Sequence, residues 1–399
     1  MALERRSRDM RPGDDGYINV PEGEIMMTLK GHTRGVFSVI QLTDGHLVSS
    51  GIDGTIRIWD TILGYCFMTL KGHTGLVWCV IQLTDGRLVS GSDDSTLRIL
   101  DTISGSCLMT LEGHTKAVLS VIQLSDGRLV SGSSDKTLKI WDTISGSCKI
   151  SLMGHTIGVL SVIQLTDGRL VSGSEDRTIR IWDTISGSCL VMTLMGHTDA
   201  VLYVTQLTDC RIVSGSVDKT LNIWDTISGS CLMTLRGHTS WVNSVIQLTD
   251  GRLVSGSGDS TLRVWDTISG NCMMILRGHS DIVYYVTQLT DGRLVSCSND
   301  KTIRIWNIMS LSQQKWIRRR LLVLHFEASK ILSDPSASAV IHSEQYHQRR
   351  RQDLELLLRF SFNISGNINS TYYIDDKIYK ITLTVLSMPE ITMRVAEYL

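Results

Sequence analysis

The chain has 399 residues, and its 39 Lys and Arg stand against 40 Asp and Glu for a formal net charge of −1. So even a balance leaves no global field that would draw the molecule to nucleic acid or to a membrane surface. No segment offers about 18 uninterrupted apolar residues for a membrane span, and the N-terminal MALERRSRDMRPGDDG lacks the apolar centre of a secretion signal, so a cytoplasmic or nuclear protein is expected.

Residues 1–20 are polar and charged, with Pro12 and Gly13, and read as a disordered tail. Glu24 to Leu29 (EIMMTL) then reads as a strand, similar to the CLMTL segments that come later. From Gly31 the chain repeats itself. Gly-His pairs place His32, His73, His114, His155, His197, His238 and His279 at successive separations of 41, 41, 41, 42, 41 and 41 residues. Each His is followed 21 residues on by Asp, and 27 residues on by Trp in six units and by Leu100 in the second.

Within the unit Gly113 to Asp142, Val118 to Leu124, Leu129 to Ser133 and Thr137 to Trp141 read as strands, rich in β-branched residues and Leu. Ser125-Asp126-Gly127 and Ser134-Asp135-Lys136 read as the turns between them, with Asp-Gly supplying the positive φ of a tight hairpin. In the fifth unit Cys210 replaces that Gly, at a cost of about 1 kcal/mol if the left-handed backbone is kept. The linking DTISGSC, starting at Asp101, Asp142, Asp183 and Asp225, reads as a packing requirement rather than a site.

A unit of this period, with Gly-His near its start and Trp-Asp near its end, resembles the WD-repeat β-propeller family over roughly Glu24 to Asn307. The resemblance implies an all-β fold, a seven-bladed β-propeller of four-stranded blades across residues 21–309. In that family an N-terminal strand such as EIMMTL completes the last blade, which removes both free sheet edges. Residues 310–399 remain as a small C-terminal α+β extension of unknown family. In it, helices are expected over 315–332 and 348–360, one or two strands over 372–386, and a terminal helix after Pro389. That last stretch is read as an ordinary amphipathic helix, although Pro389, Glu390, Ile391, Val395, Tyr398 and Leu399 faintly resemble the opening helix of an F-box.

Ser, His and Asp recur together in every unit and invite a catalytic-triad reading. Seven identical sets argue instead for structure, so no catalytic residue and no enzyme activity are expected. The resemblance implies a buried hydrogen-bond chain from Trp to Ser to His to Asp. It would run through Trp59, Ser49, His32 and Asp53; Trp141, Ser131, His114 and Asp135; Trp182, Ser172, His155 and Asp176; Trp224, Ser214, His197 and Asp218; Trp265, Ser255, His238 and Asp259; and Trp306, Ser296, His279 and Asp300. In the second unit Leu100 cannot donate to Ser90 beside His73 and Asp94. Six of the nine cysteines occupy one repeat position, too far apart to bridge, and read as small buried side chains in a reducing compartment. No Cys-x-x-Cys occurs, so no metal and no cofactor are called for.

With a constant framework, function must lie where the units differ. The residue after the Val that opens the first strand is Phe37, Trp78, Leu119, Leu160, Leu202, Asn243 or Tyr284. In the family such positions line the top face around the central channel, where partner peptides dock. Asp93, Glu175 and Trp241 fall on neighbouring variable positions. This apolar and aromatic set with two carboxylates and no arginine suits an apolar peptide carrying a Lys or Arg, and not a phosphopeptide. The expected protein is a non-enzymatic scaffold or adaptor, a monomeric propeller within a larger complex. Two alternatives are a substrate receptor of a ubiquitin ligase and an RNA-associated propeller. The runs Arg318-Arg319-Arg320 and Arg349-Arg350-Arg351 read as solvated helix faces rather than a nucleic-acid site.

Overall fold

The computed structural model describes residues 23–183 and 189–308, with side chains at 23–183 and 192–308, and the backbone of four strands between 363 and 398. Strand β1 is Glu24–Lys30, β2 Val36–Gln41, β3 Leu47–Gly51, β4 Ile56–Trp59 and β5 Cys66–Leu70. β2 to β5 pair in chain order into an antiparallel blade, and five more blades repeat this pattern as far as Arg277. The seventh blade takes Val283–Gln288, Leu294–Ser298 and Thr302–Asn307 from the end of the repeats and borrows β1 as its outermost strand. β1 runs antiparallel to Thr302–Asn307, with Glu24 opposite Asn307 and Lys30 opposite Thr302. The first strand of each blade lies against the first strands of its neighbours, and β2 touches both Val77–Gln82 and Val283–Gln288, so the ring closes. Closure leaves no first or last blade with a bare edge.

The core lies between blades. Leu83, Val89, Leu97, Ile99 and Leu111 of blade 2 pack against Val118, Val121, Leu129 and Trp141 of blade 3, and the same cluster recurs around the ring. Small residues in the second strand allow this approach: a Cβ on Gly132 would sit 2.9 Å from Cγ1 of Val159 in the next blade. A polar seam runs alongside. Oε1 of Gln123 accepts the Thr84 amide of the preceding blade at 2.9 Å, and five equivalent links (Gln82 to Thr43, Gln164 to Ser125, Gln206 to Thr166, Gln247 to Thr208, Gln288 to Thr249) span 2.8–3.0 Å.

Two readings of the repeat need correction. Among the described residues the repeated cysteines are not buried: Cys107, Cys148 and Cys231 are exposed and Cys66 and Cys272 half-buried, because each opens an outermost strand that has a neighbour on one edge only. In the Asp-Thr-Ile-Ser-Gly turns the glycine does meet a packing requirement, a Cβ on Gly146 falling 2.7 Å from Met109 Sδ, but the isoleucine does not, being 85–89 % exposed in blades 2, 3, 5 and 6.

In the C-terminal part, Asn363–Ile364, Asn367–Ile374, Lys377–Leu386 and Glu390–Tyr398 form one antiparallel sheet, in the order first, fourth, third, second. The helix expected after Pro389 is therefore a strand, paired from Leu386 opposite Glu390 to Ile378 opposite Tyr398. Ile391, Met393 and Val395 alternate with Thr392, Arg394 and Ala396, a period of two that a partner strand captures. The helices expected over 315–332 and 348–360, both Arg triplets and the tail of residues 1–20 lie outside the described residues.

Candidate functional site

Each blade departs from regular pairing at two places, once where its outermost strand passes the Trp of the third strand (Leu100 in blade 2) and once in its first strand. The register of the first strand on the second shifts between Val36 and Ser38, Val77 and Cys79, Val118 and Ser120, Val159 and Ser161, Val201 and Tyr203, Val242 and Ser244, and Val283 and Tyr285. A bulge leaves one residue unpaired and re-aims its side chain. The unpaired residues are Phe37, Trp78, Leu119, Leu160, Leu202, Asn243 and Tyr284. They sit at the end of the ring, here the upper end, where the Gly-His loop meets the turn before the third strand. Backbone bonds join these two loops: the amides of Asp93, Ser134, Glu175 and Gly258 donate to the carbonyls of Leu76, Ala117, Gly158 and Trp241 at 2.8–3.0 Å.

Three of the seven come together. Phe37 stacks on Trp78 with ring centroids 4.1 Å apart and planes at 19°, and meets Tyr284 edge-on at 4.8 Å. Phe37 itself is only 9 % exposed, so it is packed between its neighbours rather than presented on a rim. Asn243 is also committed, its Nδ2 donating to the Val283 carbonyl of the next blade at 2.9 Å. Trp78, Leu119, Leu160, Leu202 and Tyr284 are half-buried, Asp93 and Glu175 are exposed, and Trp241 is 48 % exposed. The Trp78 Nε1–H is buried with no acceptor among the described residues. Asp199 and Asp281, on the same loops, add carboxylates that the strand positions alone did not reveal; Asp281 accepts from Asn299 Nδ2 at 2.6 Å. Below this level the hydroxyls of Tyr203 and Tyr285 meet at 3.2 Å, bridging blades 5 and 7 inside the ring.

The repeated polar set forms one directed chain per blade. In blade 3 the Trp141 indole N–H donates to Ser131 Oγ at 2.8 Å, and His114 Nε2 and Nδ1 lie 2.7 Å from Ser131 Oγ and from the Asp135 carboxylate. Blades 1, 4, 5, 6 and 7 repeat it with Trp–Ser and Ser–His contacts of 2.7–2.8 Å and His–Asp contacts of 2.7–3.0 Å. Burial pushes His114 below the ordinary imidazole range, against the pull of Asp135, so the ring is neutral. Burial would raise the Asp135 carboxyl, but bonds from Thr137, His114 and the Thr115 amide outweigh it and hold it at about 2. A neutral ring beside a carboxylate keeps its proton on Nδ1, leaving Nε2 to accept from the serine hydroxyl. The serines are fully buried with the indole on their oxygen, so the triad-like order performs satisfaction of buried polar groups.

Blade 2 is the exception. Ser90 keeps its bond to His73 Nε2 at 2.8 Å, but Leu100 brings no indole. A small cavity remains, lined by Gly72, His73, Arg98 and Leu100 with Gly54, Ile56 and Leu70 of blade 1.

Among the described residues no cluster of three or more His, Cys, Asp or Glu is placed to hold a metal ion, and no helix is long and apolar enough to cross a membrane.

Comparison with known proteins agrees with this geometry. The model of the WD40 family, described as WD domain, G-beta repeat, matches at residues 23–60, 64–101, 105–142, 146–183, 188–225, 229–266 and 270–307, together more than half of the chain. The nuclear distribution protein nudF of Emericella nidulans is 54 % identical over 41 residues, about the length of one repeat. That match covers 10 % of this chain and 9 % of the relative.

Proposed function

We propose, from the premise that this chain belongs to the WD40 family and is a general protein-interaction scaffold, that it works as an adaptor seating a short partner segment on its upper end. The observation that carries this reading is the first-strand bulge: it sets a variable position of each near-identical blade at the same end of the ring. The half-buried Trp78, Leu160 and Tyr284 and the more exposed Trp241 supply apolar contact area. Asp93 and Glu175 supply carboxylates for one Lys or Arg of the partner.

Selection of peptides from a random library on the full-length protein tests this. The expected winners carry an aromatic or aliphatic residue a few positions from a Lys or Arg, and they lose binding to Trp241→Ala and Glu175→Lys. Winners rich in Asp, Glu or phosphate, or indifferent to both substitutions, would reject it.

A further inference from the structure

The lower end of the ring carries a feature that the upper-end reading does not use. In blades 2, 3, 5 and 6 the turn between the third and fourth strands reads Asp-Thr-Ile-Ser-Gly. Most of these residues have a task in the turn. The Asp142 carboxylate accepts the amides of Ile144 and Ser145 at 2.9 and 2.8 Å, and Gly146 takes a φ of +70°. Thr143 Oγ1 donates to the Gly127 carbonyl at 3.3 Å, which ties this turn to the Asp-Gly-Arg hairpin at the same end of the blade. The isoleucine has none. Ile103, Ile144, Ile227 and Ile268 are 86, 89, 85 and 88 % exposed, and blade 1 presents Ile62 and Leu63 at 69 % each. A turn position open to solvent accepts polar residues freely, so the fold itself supplies no reason for a β-branched apolar one.

We propose that this ring of isoleucines is a self-association surface on which a second copy of the chain docks face to face. The first argument is repetition. The apolar points recur with the rotation of the blades, so a partner engages several at once only if it repeats with the same rotation and radius. A second copy turned over about a two-fold axis does so by construction, as an isologous contact requires.

The second argument is charge. Nearer the axis, the hairpin of the first two strands carries pairs such as Asp126 with Arg128 at 2.6 Å and Asp167 with Arg169 at 2.7 Å. Each such hairpin carries both signs and is close to neutral, so two copies can meet face to face, whereas a ring of one sign would repel its twin. The third is area. A buried isoleucine brings on the order of 100 Å² of apolar surface, so the six side chains supply roughly 600 Å² per copy, against about 800 Å² per partner in a standard interface. The contact is thus a concentration-dependent dimer rather than an obligate one.

Sedimentation velocity of the full-length protein over a concentration series tests the proposal. The wild type is expected to pass from monomer to dimer. A double substitution, Ile144→Asp with Ile268→Asp, should weaken association by roughly a hundredfold or more, and Trp241→Ala at the other end should leave it unchanged. Because the two isoleucines are exposed, the variants should melt with the wild type. The pair Ile144→Ser with Ile268→Ser separates lost contact from added repulsion and should also weaken the dimer. A wild type that stays monomeric at every concentration overturns the proposal and leaves the ring to a different partner. A dimer that survives the serine pair, or one broken by Trp241→Ala, overturns it too.

Discussion

Phe37 and Trp78 lie stacked across the boundary of blades 1 and 2, with 4.1 Å between ring centroids, while Tyr284 of blade 7 closes on Phe37 from the other side. This joins three blades at the place where the chain closes on itself. Truncating a buried aromatic removes both its transfer energy and its stacking. Phe37→Ala should therefore lower stability by about 3 kcal/mol, while Trp241→Ala, at an exposed position, should stay within about 0.5 kcal/mol. Denaturant unfolding followed by far-ultraviolet circular dichroism measures both. Equal effects would mean that the trio contributes nothing to ring closure.

The space beside Leu100 leads to a stabilising prediction. Leu100→Trp restores the residue that every other blade carries, fills the cavity against Leu70 and His73, and gives Ser90 its missing donor. A gain of about 1–2 kcal/mol is expected, read as a higher melting temperature. A lower one would show that Gly72 and Arg98 have taken the room the indole needs.

Cys210 holds a φ of +69° at a turn where Gly86, Gly127 and Gly168 sit at +92°, +89° and +91°. Relief of the left-handed strain exceeds the added chain entropy of glycine, so Cys210→Gly should stabilise the protein by about 0.5–1 kcal/mol. Cys210→Ala, which keeps the Cβ and loses only the thiol, should give no such gain in the same melting experiment.

Acid should act on the polar chains in two stages. Burial holds His73, His114, His155, His238 and His279 below the ordinary imidazole value, opposed by the facing aspartates and assisted by Arg98, Lys139, Arg180, Arg263 and Arg304. The unfolded chain takes up protons below about pH 6.5 that these rings refuse. Stability present above pH 6.5 is thus lost as pH falls. A second loss starts below about pH 4, because Asp94, Asp135 and Asp176 are held at about 2 when folded. Melting temperatures flat between pH 8 and 7, falling from pH 6.5 and more steeply below pH 4, are expected. A flat profile from pH 7 to 5 would mean that the rings take up protons in the folded protein as readily as in the unfolded chain.

The architecture was legible because a spacing of 41 or 42 residues from His32 to His279 exposes the unit, and nearly every unit repeats the same turn chemistry. The bulge was not, since Val118, Leu119 and Ser120 spell an ordinary strand and the shift exists only relative to Ser133 and Gly132 on the partner. Consequently the burial of Phe37 is not legible either, since it depends on two aromatics, one 41 and one more than 200 residues further along the chain. The left-handed backbone of Lys136, at φ +76°, was equally hidden. It is imposed by Asp135, whose carboxylate captures the Thr137 amide and hydroxyl at 3.0 and 2.6 Å. For the strand Glu390–Tyr398 the deciding partner, Lys377–Leu386, lies in the chain but its pairing is not spelled in either segment.

Isothermal titration of a library-selected peptide against wild type, Trp241→Ala and Glu175→Lys tests the upper-end site most directly. The account predicts at least roughly tenfold weaker binding to each variant, the value of a single good contact, with melting temperatures unchanged. Equal affinity for all three proteins would contradict it and move recognition away from the bulged end of the ring.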